Sequence, residues 1–230
     1  TYNESGNVLD LIDELEKVSD RLEVLVIDDN SPDGTWKLVE ERSKTDGRVH
    51  LLRRIHEKGR GSAGVAGFRQ ALEMGADIIV EMDVDWSHHP RYLRRMIAAT
   101  RQADVVVGSR LVAGGGEVGR NVIRTMITHA ANLYIRALLG LPLRDCTSGY
   151  RVYRRWVLDN IDWDRVHSSG PAIVQEVFVT AHALGAQFKE VPILFEERRS
   201  GTSTFNSKIL LAGLMAQWRL MFRRPPVRIL

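Results

Sequence analysis

The sequence predicts an α/β domain: a mixed, mainly parallel sheet flanked by helices, closed by an amphipathic C-terminal helix. Three observations predict it. Apolar runs at 22–27 and 78–82 have the length and composition of strands buried on both faces. Both runs end in clustered carboxylates, Asp28-Asp29 and Asp83-Val84-Asp85, and open α/β sheets bind ligands at the carboxyl ends of their strands. Helical periodicity alternates with these runs, the rhythm of parallel strands joined by right-handed crossovers.

Taken in order, Leu9, Ile12, Leu15 and Val18 recur at helical spacing and place a helix over 6–18. The strand at 22–27 exits through Asp28-Asp29-Asn30-Ser31-Pro32-Asp33-Gly34-Thr35, where Thr35 is positioned to cap a helix over 36–43. A short strand follows at 49–52. Lys58-Gly59-Arg60-Gly61-Ser62-Ala63-Gly64 is a glycine-rich turn with the look of a phosphate cradle but without the Gly-Lys-Ser/Thr ending of a P-loop. A helix over 63–74 comes next, then the strand into Asp83. Pro90 is placed to open a helix reaching 101, and 104–108 is a strand. The glycine-rich stretch 113–119 reads as a mobile loop. Residues 121–139 form a long helix carrying Arg124, 145–153 a loop entering a strand, 174–184 a helix containing Glu176, and 188–195 a strand. A polar loop at 196–204 leads to a final helix over 207–222.

A chain of 230 residues with 44% hydrophobic and 27% charged content suits one large α/β domain, here 1–204, with 205–230 as a basic, apolar tail. The single cysteine, Cys146, excludes an internal disulfide and a cysteine metal cage, and fits a reducing compartment. No leader peptide is visible, and the chain opens at Thr1 inside what reads as a motif, so a preceding segment is expected. The net charge of +3 is concentrated in the tail: Lys208, Arg219, Arg223, Arg224 and Arg228 stand there without an acidic residue. That pattern suits an anionic membrane surface rather than nucleic acid. The apolar part of the last helix would reach only about 21 Å, short of the roughly 30 Å of a bilayer core. It is either a core helix with a basic cap or an interfacial helix on anionic lipid, and the Arg223-Arg224-Pro225-Pro226 ending favours the latter.

Alternation puts Asp83 and Asp85 on one side of an extended backbone, where both can reach one hard cation. Alone, such a pair is more often a plain acidic turn. With Asp28 and Asp29 opening on the same sheet edge, four carboxylates would crowd one cleft, which is costly unless positive charge sits among them. A metal-bound nucleotide supplies that charge and leaves a carboxylate for a base or ribose. Arg110, Arg124 and Arg198, all at element ends, offer planar forks for phosphate oxygens. His88-His89 are either metal ligands or a structural pair at a helix start. The sequence contains no G-x-S-x-G elbow, P-loop or H-E-x-x-H motif. A phospho-receiver reading of Asp28-Asp29 fails because the next strand-terminal aspartate, Asp83, lies too far along the chain.

Together these motifs resemble the family 2 glycosyltransferases, inverting enzymes of the GT-A fold, and more narrowly the polyprenol (dolichol) phosphate mannose synthases. Thr1-Tyr2-Asn3-Glu4 matches the end of P-T-Y-N-E, and Asp28 to Thr35 matches D-D-N/G-S-P-D-G-T. Asp83-Val84-Asp85-Trp86-Ser87-His88-His89-Pro90 matches D-A-D-L-S/Q-H-P/H-P, and Gly108-Ser109-Arg110 matches G-S/T-R. Ser148 to Tyr153 and Val191 to Arg198, with Gly201 and Ser203, follow two further motifs of the family. The match runs in order through nearly the whole chain.

The resemblance implies that Tyr2, Glu4, Ile27 and Asp29 line a nucleotide site, with Val84 against the donor. It implies that Asp83 and Asp85 contact a metal, Mg²⁺ or Mn²⁺, and the donor diphosphate, with Ser87 helping to hold the ion. Arg110, Arg124 and Arg198 would bind acceptor or donor phosphate, making Asp83, Asp85, Arg110 and Arg124 the catalytic set. The implied reaction is inverting transfer of mannose from GDP-mannose to a polyprenyl phosphate by a peripheral protein on the cytoplasmic face of a membrane. UDP-glucose as donor, or nucleotide-sugar binding without catalysis, remain open alternatives. Three features depart from the family pattern: its first strand and the proline before Thr1 are absent here; Thr204 replaces a phosphate-binding lysine, with Lys208 one turn later; and 170–176 keeps Glu176 as its clearest match.

Overall fold

The structure is a computed structural model; it describes residues 1–168, 170–196 and 207–228, with 207–212 and 214 described by backbone alone. Helix α1 (Val8–Glu16) leads to β1 (Val24–Asp28), α2 (Thr35–Thr45), β2 (Val49–Arg53), α3 (Arg60–Glu73) and β3 (Ile78–Glu81). A 3₁₀ turn at Pro90–Tyr92 opens α4 (Leu93–Ala99), followed by β4 (Val105–Ser109), β5 (Gly116–Val118) and α5 (Val122–Leu139). The chain ends with β6 (Arg151–Arg154), α6 (Arg155–Asp159), α7 (Ile173–Ala183), β7 (Phe188–Pro192), β8 (Leu194–Glu196) and α8 (Ser207–Met221).

The expected mixed, mainly parallel architecture is present. β1 pairs with β2 in parallel, Val24 opposite Val49 and Asp28 opposite Arg53. The main sheet has the order β3-β6-β4-β7, in which β4 and β7 are parallel and β6 runs against both its neighbours. The reversal has a simple origin. After α5 the chain returns through 140–150 to the end of β4 from which it departed, so β6 has to run backwards along it. That return also brings 145–150 to the sheet edge where β1, β3 and β4 end. β5 and β8 form a separate parallel ribbon at the same edge.

Two cores flank the main sheet. Val105, Val107 and Tyr153 face Phe68, Val177 and Phe178 on one side. Val106 and Val152 face Val26, Trp86 and Met96 on the other. Period-two alternation into two cores explains why Val105-Val106-Val107 is apolar without interruption.

Local expectations change: the strand read over 188–195 divides at Ile193 into β7 and β8, which pair in different sheets, and α3 begins at Arg60 rather than 63. Thr35 does not cap α2; Gly34, in the left-handed region at φ +83°, precedes the helix. The Thr35 hydroxyl instead donates to Asp33 Oδ1 (2.7 Å) and accepts the Glu4 N–H (2.9 Å), joining the 1–5 and 29–35 loops. The 113–119 stretch is not wholly irregular, because it contains β5. Gly115 packs so closely that a Cβ there would lie 2.5 Å from the Ser109 carbonyl oxygen.

α8 packs against α5. The buried Gln217 side chain donates to Gln175 Oε1 (3.1 Å), and Gln175 Nε2 donates to the Cys146 carbonyl (2.6 Å). The tail beyond α8 is held as well, through Asp162 N to Pro226 O (2.7 Å) and Arg228 N to Asn160 O (2.9 Å). One face of α8 is therefore seated on the domain, while Met215, Trp218, Met221 and Phe222 are exposed. On α5, Val122, Ile123, Met126 and Leu133 are exposed too. Among the described residues, no helix is long and apolar enough to cross a membrane.

Candidate active site

The Asp83-Val84-Asp85 segment follows β3 and bends from Val84 onward rather than staying extended, with Val84 half-buried against the core. Trp86 then takes a left-handed conformation (φ +67°), a costly state for a bulky residue and one that clusters at functional sites. Ser87 follows, and both its backbone N–H (3.1 Å) and its hydroxyl (2.5 Å) donate to Asp85 Oδ1. Asp83 is half-buried and faces Arg60, whose Nη2 lies 3.2 Å from Asp83 Oδ1. Crowding opposes ionisation of Asp83, but the Arg60 guanidinium, with that of Arg151, outweighs it and brings the carboxyl down to about 2.

The two histidines are structural in this arrangement. His88 is buried against the Tyr150 ring, with centroids 5.3 Å apart, and its Nδ1 accepts the Asp83 N–H at 3.0 Å. Its burial lowers its pKa more than the charges of Asp83 and Asp85 raise it, so the ring is neutral and carries its hydrogen on Nε2. His89 Nδ1 accepts the Arg91 N–H (3.1 Å) and caps the following turn. Gly149 closes over this cluster, where a Cβ would lie 2.7 Å from Arg60 Nη2 and 2.9 Å from His88 Cε1. Beneath it, the buried Arg151 pairs with Glu81 and lies over the Phe178 ring.

At the end of β1 the two aspartates divide. Asp28 is fully buried and accepts from Ser31 N (2.8 Å), Ser31 Oγ (2.6 Å) and Thr1 Oγ1 (2.7 Å), so it shapes the loop and does not join a four-carboxylate cleft. Asp29 accepts the Gly59 N–H at 2.7 Å and pairs with Arg54 at 2.8 Å, fastening the glycine-rich turn to β1. A cavity of about 430 Å³ opens beside it, lined by Tyr2, Asn30, Ser31, Trp36 and Lys58. The Lys58 ammonium stands 5.7 Å from the Tyr2 ring centre. Glu4 lies at the start of α1, accepting from Asn7 Nδ2 at 2.7 Å. Ile27 is half-buried and turned beneath α3, so close to Gly67 that a Cβ there would sit 2.9 Å from Ile27 Cδ1.

The arginines are distributed unequally. Arg110 is buried, and its guanidinium grips Asp145 with two bonds, Nε to Oδ2 and Nη2 to Oδ1, both 2.7 Å. Nη2 also donates to Thr147 Oγ1 (2.6 Å), and Nη1 lies 3.4 Å from Glu117. Its fork is thus turned onto protein groups rather than held open for phosphate. Glu117 carries this network into β5, where it also meets Arg120 and accepts from Thr125 Oγ1 at 2.8 Å. Arg124 is exposed on the first turn of α5, and Arg198 lies outside the described residues.

Comparison with known proteins decides the family. The glycosyl transferase family 2 model matches residues 1–162. The chain belongs to that family. The undecaprenyl-phosphate mannosyltransferase of Micrococcus luteus is 42% identical over 95% of this chain and 93% of that protein. The polyprenol monophosphomannose synthase of Mycolicibacterium smegmatis is 37% identical over 97% of this chain and 86% of that one. Among solved structures, glucosyl-3-phosphoglycerate synthase from Mycobacterium tuberculosis, in complex with Mn²⁺, UDP and phosphoglyceric acid, superposes with a TM-score of 0.68 at 19% identity. It covers 97% of this chain and 77% of that one. At this identity the likeness is one of fold, and it agrees with the GT-A architecture described above.

The sheet edge at Asp83-Val84-Asp85 has the right chemistry to hold a divalent cation. Asp83, Asp85 and Ser87 present only oxygen donors, the set a hard ion selects. Among the described residues no group of three or more histidine, cysteine or acidic side chains could cage an ion. A cation at this edge would therefore share its coordination with oxygens from outside the protein, as a diphosphate provides. Sequence reasoning missed Arg60, Arg54, Asp145 and Glu117. Asp145 stands in the loop before β6, and Arg60 within the glycine-rich turn, but neither position shows its partner.

Proposed function

We propose that this family 2 glycosyltransferase transfers mannose from GDP-mannose to a polyprenyl monophosphate at the cytoplasmic face of a membrane, with Mg²⁺ or Mn²⁺. The observation that carries this reading is the Asp83-Asp85-Ser87 edge, with a cavity lined by Tyr2, Trp36 and Lys58 opening past the end of β1, in a chain 42% identical over nearly its full length to a named undecaprenyl-phosphate mannosyltransferase.

Tyr2, Glu4 and Asp29 bound the nucleoside end of the donor, with Ile27 backing the wall, and Val84 lies against the sugar. Asp83, Asp85 and Ser87 hold the divalent cation, which when bound neutralises charge on the leaving diphosphate. Asp83 is ionised throughout the physiological range, so it suits cation binding and is a poor proton acceptor. No strong base is required, because the acceptor phosphate is already anionic at neutral pH. Its oxygen attacks the anomeric carbon in line as the carbon–oxygen bond to the diphosphate breaks, inverting the configuration. What the reaction needs is relief of repulsion between two phosphate-bearing substrates. Arg124 and Arg198 supply positive charge on the acceptor side, while Arg110 acts from below, holding 145–147 and adding its field. The exposed apolar faces of α5 and α8, with Arg219, Arg223 and Arg224, rest on anionic lipid and receive the acceptor's tail.

A donor panel with polyprenyl phosphate tests this. Turnover with GDP-mannose is expected; turnover with UDP-glucose and none with GDP-mannose would overturn the donor assignment.

A further inference from the structure

The glycine-rich turn at 58–64 delivers a charge to the Asp83 edge. Gly59 adopts φ +119° and its N–H is clamped to Asp29 at 2.7 Å, which fixes where the next residue points. That residue is Arg60, the first of α3. Its guanidinium crosses to the end of β3 and meets Asp83 at 3.2 Å, with Gly149 leaving it room. Arg60 feels Asp83 most strongly, then Glu81 and Asp85. Three neighbouring cations are committed to protein groups: Arg54 to Asp29 and Ser62, Arg110 to Asp145 and Thr147, and Arg151 to Glu81 beneath the site. Arg60 differs in that its side chain is 42% exposed and lies at the mouth of the donor edge.

We propose that Arg60 is a donor-diphosphate ligand: it neutralises Asp83 while the site is empty, and passes its guanidinium to the diphosphate when a divalent cation takes Asp83. The inference rests on the nucleotide-sugar reading of this site. Its logic is charge balance. A divalent cation offsets Asp83 and Asp85, leaving the diphosphate uncompensated, and Arg60 supplies positive charge of the right shape to it. Because guanidinium and metal ion compete for Asp83, metal binding alone is opposed, and metal binding with a diphosphate is favoured. Arg60 thereby couples the two ligands.

The test uses full-length wild-type protein, Arg60→Leu and Arg60→Lys. GDP binding is measured by calorimetry with Mn²⁺ and with EDTA, Mn²⁺ binding alone by electron paramagnetic resonance, and guanosine binding by NMR. Arg60→Leu should weaken GDP binding with Mn²⁺ about tenfold or more, a loss of the size expected for a charge-assisted hydrogen bond, and weaken it less in EDTA, where the wild-type guanidinium stays on Asp83. It should strengthen Mn²⁺ binding in the absence of nucleotide and leave guanosine binding unchanged, which also certifies the fold. Arg60→Lys should recover part of the GDP affinity. If Arg60→Leu binds GDP and Mn²⁺ as the wild type does, the role of Arg60 is refuted while the nucleotide-sugar reading stands. If the wild type binds neither GDP nor UDP with Mn²⁺, that reading falls and the inference falls with it.

Discussion

Replacing Asp145 by asparagine removes one half of a buried ion pair and leaves the other half in place. Asp145 is fully buried and Arg110 nearly so. The carboxylate takes two guanidinium bonds of 2.7 Å and the Arg110 N–H at 3.1 Å. Breaking such a pair from one side costs about 3–5 kcal/mol, because the surviving buried charge loses its bidentate partner and keeps only the longer contact to Glu117. At roughly 2–4 °C per kcal/mol for a chain of this size, the melting temperature should fall by about 6–20 °C. The pH dependence has a definite sign. Burial opposes ionisation of Asp145, but the Arg110 bonds outweigh it and depress its pKa, so its contribution is present at neutral pH and lost as pH falls through the carboxylate range. Calorimetric melting and urea titration of Asp145→Asn, Arg110→Met and the double variant measure the effect, and the double variant should be milder than the sum of the two singles. A shift below about 2 °C for Asp145→Asn would refute the reading of Arg110 as a buried anchor. Arg110 would then have to be an open phosphate ligand, and its loss would appear in acceptor KM instead.

Further outcomes follow from the same geometry. His88 is buried neutral with a lowered pKa, so the wild type should lose stability as pH falls below about 6.5, and His88→Gln should flatten that dependence in urea titrations at pH 5 and 8. Gly149→Ala pushes a methyl to 2.9 Å from the buried His88 ring and should cost about 1–3 kcal/mol by overpacking, together with weaker donor binding. Trp218 and Phe222 are 52% and 75% exposed, so replacing both with serine should leave the melting temperature unchanged. The same pair should reduce binding to anionic vesicles by about tenfold or more, since burying each such side chain contributes about 1.5–3 kcal/mol. Sedimentation with vesicles would show it, and undiminished binding would remove α8 from the membrane-facing surface.

Much of the fold was readable because strands buried on both faces and amphipathic helices leave clear periods. The run into Asp83 and the extent of the last helix were both placed closely. The reversal of β6 was not readable, since it depends on how far α5 carries the chain before 140–150 returns it, and Arg151-Val152-Tyr153 has no pattern that marks direction. Residue type also could not distinguish Asp28 from Asp29, adjacent carboxylates of which one folds its own loop and the other clamps a distant turn. Arg110 and Arg60 show the same limit for cations. The arginine within a known motif turned onto Asp145, while the one in the glycine-rich turn reached Asp83. Which charge meets which is a property of the sheet edge, assembled from strands far apart in the chain.

The central claim is that the Asp83-Val84-Asp85 edge works by holding a cation on a departing diphosphate. The most direct measurement is product formation by the full-length protein from GDP-mannose and polyprenyl phosphate, titrated with Mn²⁺, for wild type and Asp85→Asn. A polyprenyl phosphate mannose product is expected, one that disappears on chelation and stays absent in a folded Asp85→Asn at any Mn²⁺ concentration. Undiminished transfer by the chelated wild type, or by Asp85→Asn, would contradict it.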